Sequence, residues 1–448
     1  MKVAITGGSG QLGTILLRRL AADRSIKQIV AIDVRPPSVP GAKIHAVRAD
    51  VRDTSIAHHL RGCDAVIHLA FVVTGAPPRE VFDAINVGGS KNVFEGAAAA
   101  GAKQVLYASS IAAYGVALGH PTPIVEETPR RLVASFAYSA TKYQVEEWLD
   151  AFEPRHPTLA IARFRPGILV GSRMEHALGD ALRARRLVDL DGTRMPIVWD
   201  EDVADAFMLA LKKGARGAFN LVADEPLTAT QLGAEAGLRV SSPPRAIVRA
   251  ASKIAASLAR MGVGREIDPA WLDNLGVELI VSSEKAKREL SWKPKHPTAA
   301  AVMRHYVAAT PARADLRIKL FLRLAGRAAR MAPKLPDSAS INVRIHVALT
   351  GEGGGDWTFD VSDGRLHIHE GMPRAPSATL TLKASTFLEL MAGKMDFGSA
   401  QLTGKVRVEG EPRATMVLGG MVQMFNKAAS EPGARGLLPR QMARWFGR

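Results

Sequence analysis

The chain has 448 residues, 47% hydrophobic and 23% charged, a globular composition with length for two or three domains. A single cysteine, Cys63, excludes an internal disulfide framework and a cysteine-built zinc site, and no metal site is expected. The net charge is +16, but aromatic residues are only 6% and no nucleic-acid motif is present, so nucleic acid is not an expected partner.

The amino terminus carries no signal-peptide pattern, because the apolar run stops at Thr6 before a glycine cluster. No stretch approaches the roughly 18 apolar residues of a membrane span, so a cytoplasmic location is expected. Short apolar strands are predicted at Val3–Thr6, Gln28–Asp33, Ile44–Arg48, Ala65–Leu69, Gln104–Ser109 and Leu159–Phe164, with helical patterns between most of them. Such an alternation predicts a doubly wound parallel sheet covered on both faces. Cys63, behind Gly62 at the mouth of a predicted strand, reads as a small core residue.

Gly7, Gly10 and Gly13 fall between the first strand and a helical pattern over Leu12–Leu20. Glycines there permit a tight turn and a close approach of a pyrophosphate to the helix N-terminus. Asp33 ends the second strand 20 residues after Gly13, where a carboxylate binds adenosine ribose hydroxyls. Asp33 favours NAD, since it repels a 2′-phosphate; Arg35 keeps NADP open.

Within "AYSATKYQVEEWL", residues 137–149, Tyr138 and Lys142 lie four apart and share a helix face. A phenol exchanges a proton with an alcohol or carbonyl when an ammonium lowers its pKa from about 10. Ser109 and Ser110 end a strand that can place a hydroxyl beside it.

Residues 1 to about 300 resemble the extended short-chain dehydrogenase/reductase family, which contains sugar-nucleotide epimerases, dehydratases and 3β-hydroxysteroid dehydrogenases. "TGGSGQLG" carries the cofactor motif, with Gly7, Gly10, Gln11, Leu12 and Gly13; "ADVRD" resembles the adenine-side motif through Asp50 and Val51. "IHLAF" offers Leu69 and Ala70, "INVGGSKNV" the family asparagine as Asn86, and "RFRPGILVG" the nicotinamide loop with Pro166 and Gly167. "IVWDEDVADAF" and "SSEKAKRELSWKP" match later family segments. The resemblance implies Tyr138 as acid/base, Lys142 lowering its pKa and holding the nicotinamide ribose, and Ser110 bonding the reacting oxygen. It also implies a small substrate subdomain and pairing of two chains through helices that include the Tyr138 helix.

Arg173, Arg183, Arg185 and Arg186 suit a diphosphate or a solvated face. A helix over 245–261 carries Ile247, Ala251, Ile254 and Leu258 on one stripe, either packed or lining an apolar mouth. Residues 313–334 hold seven basic side chains against one acid, Asp315. Lys319, Arg323, Arg327 and Arg330 form a basic stripe, fit for an anionic membrane surface or for a linker helix with its apolar face packed.

From about 335 the pattern changes to alternation. "INVRIHVAL" (341–349) reads as a strand, "WTFDVSDGRLHIHEG" (357–371) as a hairpin turning at Asp363-Gly364, and "ATLTLKAS" (378–385) as another strand. A helix "TFLELMAGKM", a strand over 400–410 and a Met-rich apolar helix with Met416, Met421, Met424 and Phe425 follow. Residues 335–430 resemble the sterol-carrier-protein domain, an α+β lipid-binding module; the resemblance implies an apolar tunnel for a lipid or acyl chain.

The expected organisation is a redox domain over 1–300, a basic helical linker over 301–334 and a sterol-carrier-like domain over 335–448. The expected activity is NAD-dependent oxidation or reduction of a hydrophobic alcohol or ketone, steroid or lipid-like. A sugar-nucleotide epimerase or dehydratase, and a non-catalytic NAD-sensing lipid binder, remain open alternatives.

Overall fold

The computed structural model describes residues 1–73, 78–174, 177–248, 250, 276–310, isolated positions between 318 and 326, 342–350, 354–362, 365–373, 376–391 and 394–411. Two compact units divide the chain: Met1–Ala181 with Arg186–Tyr306, and Val307 onward with Leu182–Arg185.

The first unit is built on a seven-stranded parallel sheet. Its strands are β1 (Lys2–Thr6), β2 (Gln28–Asp33), β3 (Ile44–Arg48), β4 (Ala65–His68), β5 (Gln104–Ala108), β6 (Ala160–Pro166) and Gly217–Leu221. The spatial order is β3-β2-β1-β4-β5-β6 and then Gly217–Leu221. The near-continuous apolar sequences have their reason here, because helices cover both faces. Val3 and Ile5 pack on one side with Leu16, Leu17 and Leu20 of α1 (Gln11–Ala22) and with Phe207 and Ala210 of helix Asp200–Lys213. Ala4, one residue out of phase, faces the opposite layer with Phe94, Val145 and Leu149. Cys63 is buried in that layer, as a core residue should be.

Chain order reverses between β1 and β4, so a crevice opens beyond their carboxyl ends. Strand β4 stops at His68, leaving Leu69 and Ala70 in the loop that borders this crevice, and β5 stops at Ala108, leaving both serines beyond it.

The second unit holds a five-stranded mixed sheet, in the order Arg365–Glu370, Gly355–Ser362, Val343–Thr350, Ala378–Lys383, Val406–Gly410. Ile345, Val347, Trp357, Phe359, Leu380 and Leu382 share its apolar face with Phe387, Leu390 and Met391 of helix Ala384–Met391. The hairpin pairs Trp357 with Glu370 and Val361 with Leu366, the alternation expected of a half-buried ribbon.

The strand expected over 400–410 is corrected: Phe397–Leu402 is helical and only Val406–Gly410 is extended. Asp396 caps the helix by accepting a hydrogen bond from the Ser399 N–H at 2.8 Å, and Gly404 takes a φ of +69° in the turn that follows. Local capping chemistry thus outweighs a short alternating pattern. Ile318 and Leu322, from the segment read as a linker, are buried in the core of this second unit. The basic stripe as a whole, most of the 245–261 helix, the Asp363-Gly364 turn and the Met-rich terminal helix lie outside the described residues. Among the described residues, no helix is long and apolar enough to cross a membrane.

Candidate active site

The glycine turn closes directly on the loop after β4. A Cβ on Gly7, whose φ is +74°, would come within 2.6 Å of the Ala70 nitrogen, and one on Gly13 within 2.2 Å of the Gly7 carbonyl oxygen. Gly10 caps α1 and makes no side-chain hydrogen bond to its first turn. Asp33 stands beside this turn. Its two carboxylate oxygens accept the backbone N–H groups of Ser9 (2.9 Å) and Arg35 (3.0 Å). Each oxygen keeps a lone pair for a ribose hydroxyl.

On the adenine side, Val51 is buried and a Cβ on Gly89 would strike its Cγ2 at 2.4 Å. Asp50 is paired with Arg52 at 2.7 Å, and that hydrogen bond lowers its pKa. Asn86 sits in a π-helical turn, Ala84–Gly88. Its Oδ1 accepts from Val72 N (2.7 Å) and its Nδ2 donates to Val72 O (3.0 Å). Both ends of the amide are thereby committed to pinning the loop after β4, which makes Asn86 a positioning residue. Pro166 is buried at the end of β6, and a Cβ on Gly167 would meet the Pro196 carbonyl oxygen at 2.0 Å.

Ser110 and Tyr138 meet across two elements. The phenol is hydrogen-bonded to the Ser110 side chain, whose Oγ also accepts from Ala112 N at 3.1 Å. Helix Ala137–Phe152 carries Tyr138 and Lys142 toward the ends of β4 and β5. The Lys142 Nζ donates to the Ala108 carbonyl at 2.6 Å and lies 3.3 Å from the Phe71 ring centre and 5.9 Å from that of Tyr138. The expected depression of the phenol is therefore not found. Burial pushes Tyr138 up against the opposing Ser110 bond, and burial pushes the Lys142 ammonium well below the usual lysine range. His68, buried between Thr6 and Ser90, is pushed down to about 3 by burial and by Lys142, so it is a neutral hydrogen-bonding link.

Behind this group lies a buried ionic cluster that the motifs did not single out. Glu146, one turn beyond Lys142, pairs with Arg165 and with Arg130 (2.8 Å) and accepts from Ser109 Oγ. Burial alone would push its carboxyl up; Arg165, Arg163 and Ser109 outweigh burial and hold it down at about 2. Arg165 also donates to Tyr114 Oη at 2.7 Å, and Tyr114 donates to Asn220 at 2.8 Å. The available signal was two arginines at i and i+2 inside an otherwise apolar strand.

A second unforeseen group is Asp200, 3% exposed at the start of helix Asp200–Lys213. Its Oδ2 accepts from Gln11 Nε2 at 2.9 Å, and only the absence of a side chain at Gly171 leaves room for it. Burial, helped by Glu201, pushes this carboxyl up to about 6. Its folded pKa exceeds its unfolded value, so the folded state binds more protons between about pH 4 and 6, and stability falls as pH rises through that window. Asp200→Asn is expected to be more stable than the parent at pH 7.5, by up to roughly 2–3 kcal/mol, and equal to it at pH 4. Scanning calorimetry of the full chain at both pH values checks this; an equal offset at both would refute it.

Of the arginines suited to a diphosphate, Arg173 and Arg186 are exposed, and Arg185 donates to the backbone carbonyls of Val307 and Thr310.

A doubly wound sheet with a glycine cradle at its switch point, an acid after β2 and a Ser–Tyr pair beyond β5 define a dinucleotide-dependent enzyme of the short-chain dehydrogenase/reductase class. Residues 3–221 match the NAD dependent epimerase/dehydratase family, and residues 327–423 match the SCP-2 sterol transfer family. The chain is 29% identical over 314 residues to a 4-hydroxy-2-methyl-3-oxo-4-farnesyl-3,4-dihydroquinoline-1-oxide ketoreductase of Stigmatella aurantiaca, covering 65% of this chain and 92% of that protein. It is 27% identical over 331 residues to UDP-glucose 4-epimerase of Streptococcus mutans, covering 66% and 92%. It is 27% identical over 248 residues to sterol demethylase protein B of Methylococcus capsulatus, covering 52% and 72%. The fold matches Thermus thermophilus UDP-glucose 4-epimerase in its NAD complex, with a TM-score of 0.54 at 21% identity over 69% of this chain and 98% of the other.

The cradle fits a dinucleotide such as NAD: the glycine turn has no room for side chains, and Asp33 beside it keeps lone pairs for a ribose hydroxyl.

Proposed function

We propose that this chain reduces a hydrophobic ketone, steroid or lipid-like, with NADH, and that its SCP-2 domain holds or delivers the substrate. The observation that carries the reading is the covalent union of a Ser110–Tyr138 pair beside a dinucleotide cradle with a sterol-transfer domain. A ketoreductase of a farnesylated substrate and a sterol demethylase protein among the relatives favour the same substrate class.

Bound NADH supplies the hydride to the carbonyl carbon. Tyr138 then gives its phenolic proton to the carbonyl oxygen as the C=O π pair becomes an oxygen lone pair. Ser110 donates a hydrogen bond to the same oxygen. A phenol pushed up by burial stays protonated at neutral pH, which suits an acid in the reductive direction. The phenolate left behind regains its proton from solvent, and until then its charge favours the protonated form of Lys142, whose Nζ is anchored on the Ala108 carbonyl. The Phe71 ring lies against that amine, 3.3 Å from Nζ to the ring centre.

Native mass spectrometry of the purified chain should reveal bound dinucleotide and lipid, and a panel of ketosteroids and isoprenoid ketones should cause NADH absorbance to decay. Turnover of UDP-glucose alone would replace this reading with an epimerase, and inertness toward every ketone would remove the redox role.

A further inference from the structure

Among the described residues, two buried side-chain atoms of the SCP-2 sheet lack a hydrogen-bond partner, His346 Nδ1 and Trp357 Nε1, and only Trp357 belongs to the apolar layer, His346 being one residue out of phase with it. Trp357 is 2% exposed on the apolar face, and its Nε1–H has no acceptor among the described residues. Its neighbours in that layer, Phe359, Leu380, Phe387 and Met391, have no side-chain oxygen, and the strand carbonyls around it are engaged in the ladder. A buried donor without a partner forfeits its hydration with no return. Phenylalanine would fill much of the same space without that cost.

We infer that the Trp357 indole N–H is the polar anchor of the lipid site, donating to an uncharged oxygen, a ketone or hydroxyl, at the end of an otherwise apolar ligand. The inference rests on the lipid-carrier reading above. An indole only donates, so the ligand atom must accept. Glu370 stands directly opposite Trp357 in the strand pair. The apolar residues around the indole supply no charge partner for an anionic head, which leaves a neutral oxygen as the better fit. The same functional group would be read by Trp357 in one domain and reduced at Tyr138 in the other.

Three probes of similar bulk or length separate the possibilities: cholest-4-en-3-one, 5α-cholestane, which lacks the oxygen, and palmitate, each delivered from cyclodextrin to the full-length protein. The parent should retain the ketone about five- to tenfold better than the hydrocarbon, the effect of one satisfied buried donor. Trp357→Phe should bind the hydrocarbon as before and lose the preference. In parent protein labelled with 15N-tryptophan, the Trp357 indole proton, assigned by its absence from Trp357→Phe or Trp357→Leu, should move downfield with the ketone and stay with the hydrocarbon. This second measurement decides the matter if the variants fold poorly.

A ketone preference that survives Trp357→Phe, an unmoved indole proton, or a downfield shift greatest with palmitate would overturn the anchor while leaving the carrier reading intact. Failure of the parent to bind any of the three would overturn both.

Discussion

Tyr138→Phe is expected to lower ketone turnover at least about 100-fold while NADH affinity stays within about twofold. The substitution removes one oxygen and keeps a ring of the same size, so the edge contact with Phe71 at 6.0 Å between ring centres survives. The lost atom is the one bonded to Ser110. Without it, developing charge on the substrate oxygen has the Ser110 hydrogen bond but no proton donor. Positioned acid catalysis is worth about 10²–10⁴ in rate, so a loss of this size falls on kcat rather than on KM. Stopped-flow NADH absorbance with a saturating ketone measures turnover, and NADH fluorescence titration measures binding. A variant that keeps a tenth of parental turnover would show that another group gives the proton.

Glu146→Ala is expected to destabilise the first domain by about 3–5 kcal/mol, because it strands buried guanidiniums without their counter-charge. The carboxylate is fully buried and links Arg165 of β6, Arg130 and Ser109, so one substitution loosens three segments at once. Its folded pKa, about 2, lies below the unfolded value near 4.3, so its stabilisation is present above that unfolded value and fades as pH falls toward 2. The gap between parent and variant should therefore be full at pH 7 and shrink below pH 4. In a domain of this size the change corresponds to a melting shift of roughly 5–15 °C. Calorimetry of the full chain at pH 7 and pH 3.5 reads both effects. A variant melting with the parent at pH 7 would show that the arginines find water or other partners.

Asp200 and Glu146 are buried carboxylates with opposite fates. Glu146 meets three guanidiniums and a serine, and is held ionised. Asp200 meets an amide and a more distant Arg19, and burial prevails. Neither outcome is written in the residue type. Glu146 is one turn past Lys142, a spacing visible in the chain, but its partners arrive from a strand and a loop remote in sequence. Asp200 reaches Gln11 across 189 residues.

What the chain alone determined was everything that depends on neighbours a few residues away. Period-two and near-continuous apolar runs marked five of the seven parallel strands to within a residue at each end, a sixth with its end two residues short, and missed Gly217–Leu221, while the hairpin's pairing followed from its alternation. The glycines of the first turn, the acid after β2 and the Tyr138–Lys142 spacing were likewise local patterns. What only the tertiary structure decided was electrostatic. Lys142 turns to the Ala108 carbonyl and Phe71, so it does not depress the phenol as its helical spacing suggested. The helix at Phe397–Leu402 overrode alternation through one capping aspartate, and Trp357 was left with an unanswered N–H inside an apolar layer. The physical reason is common to these cases. Secondary structure follows from periodicity along the chain, whereas the charge state and hydrogen bonding of a buried group depend on which distant segments surround it and on how much water they exclude.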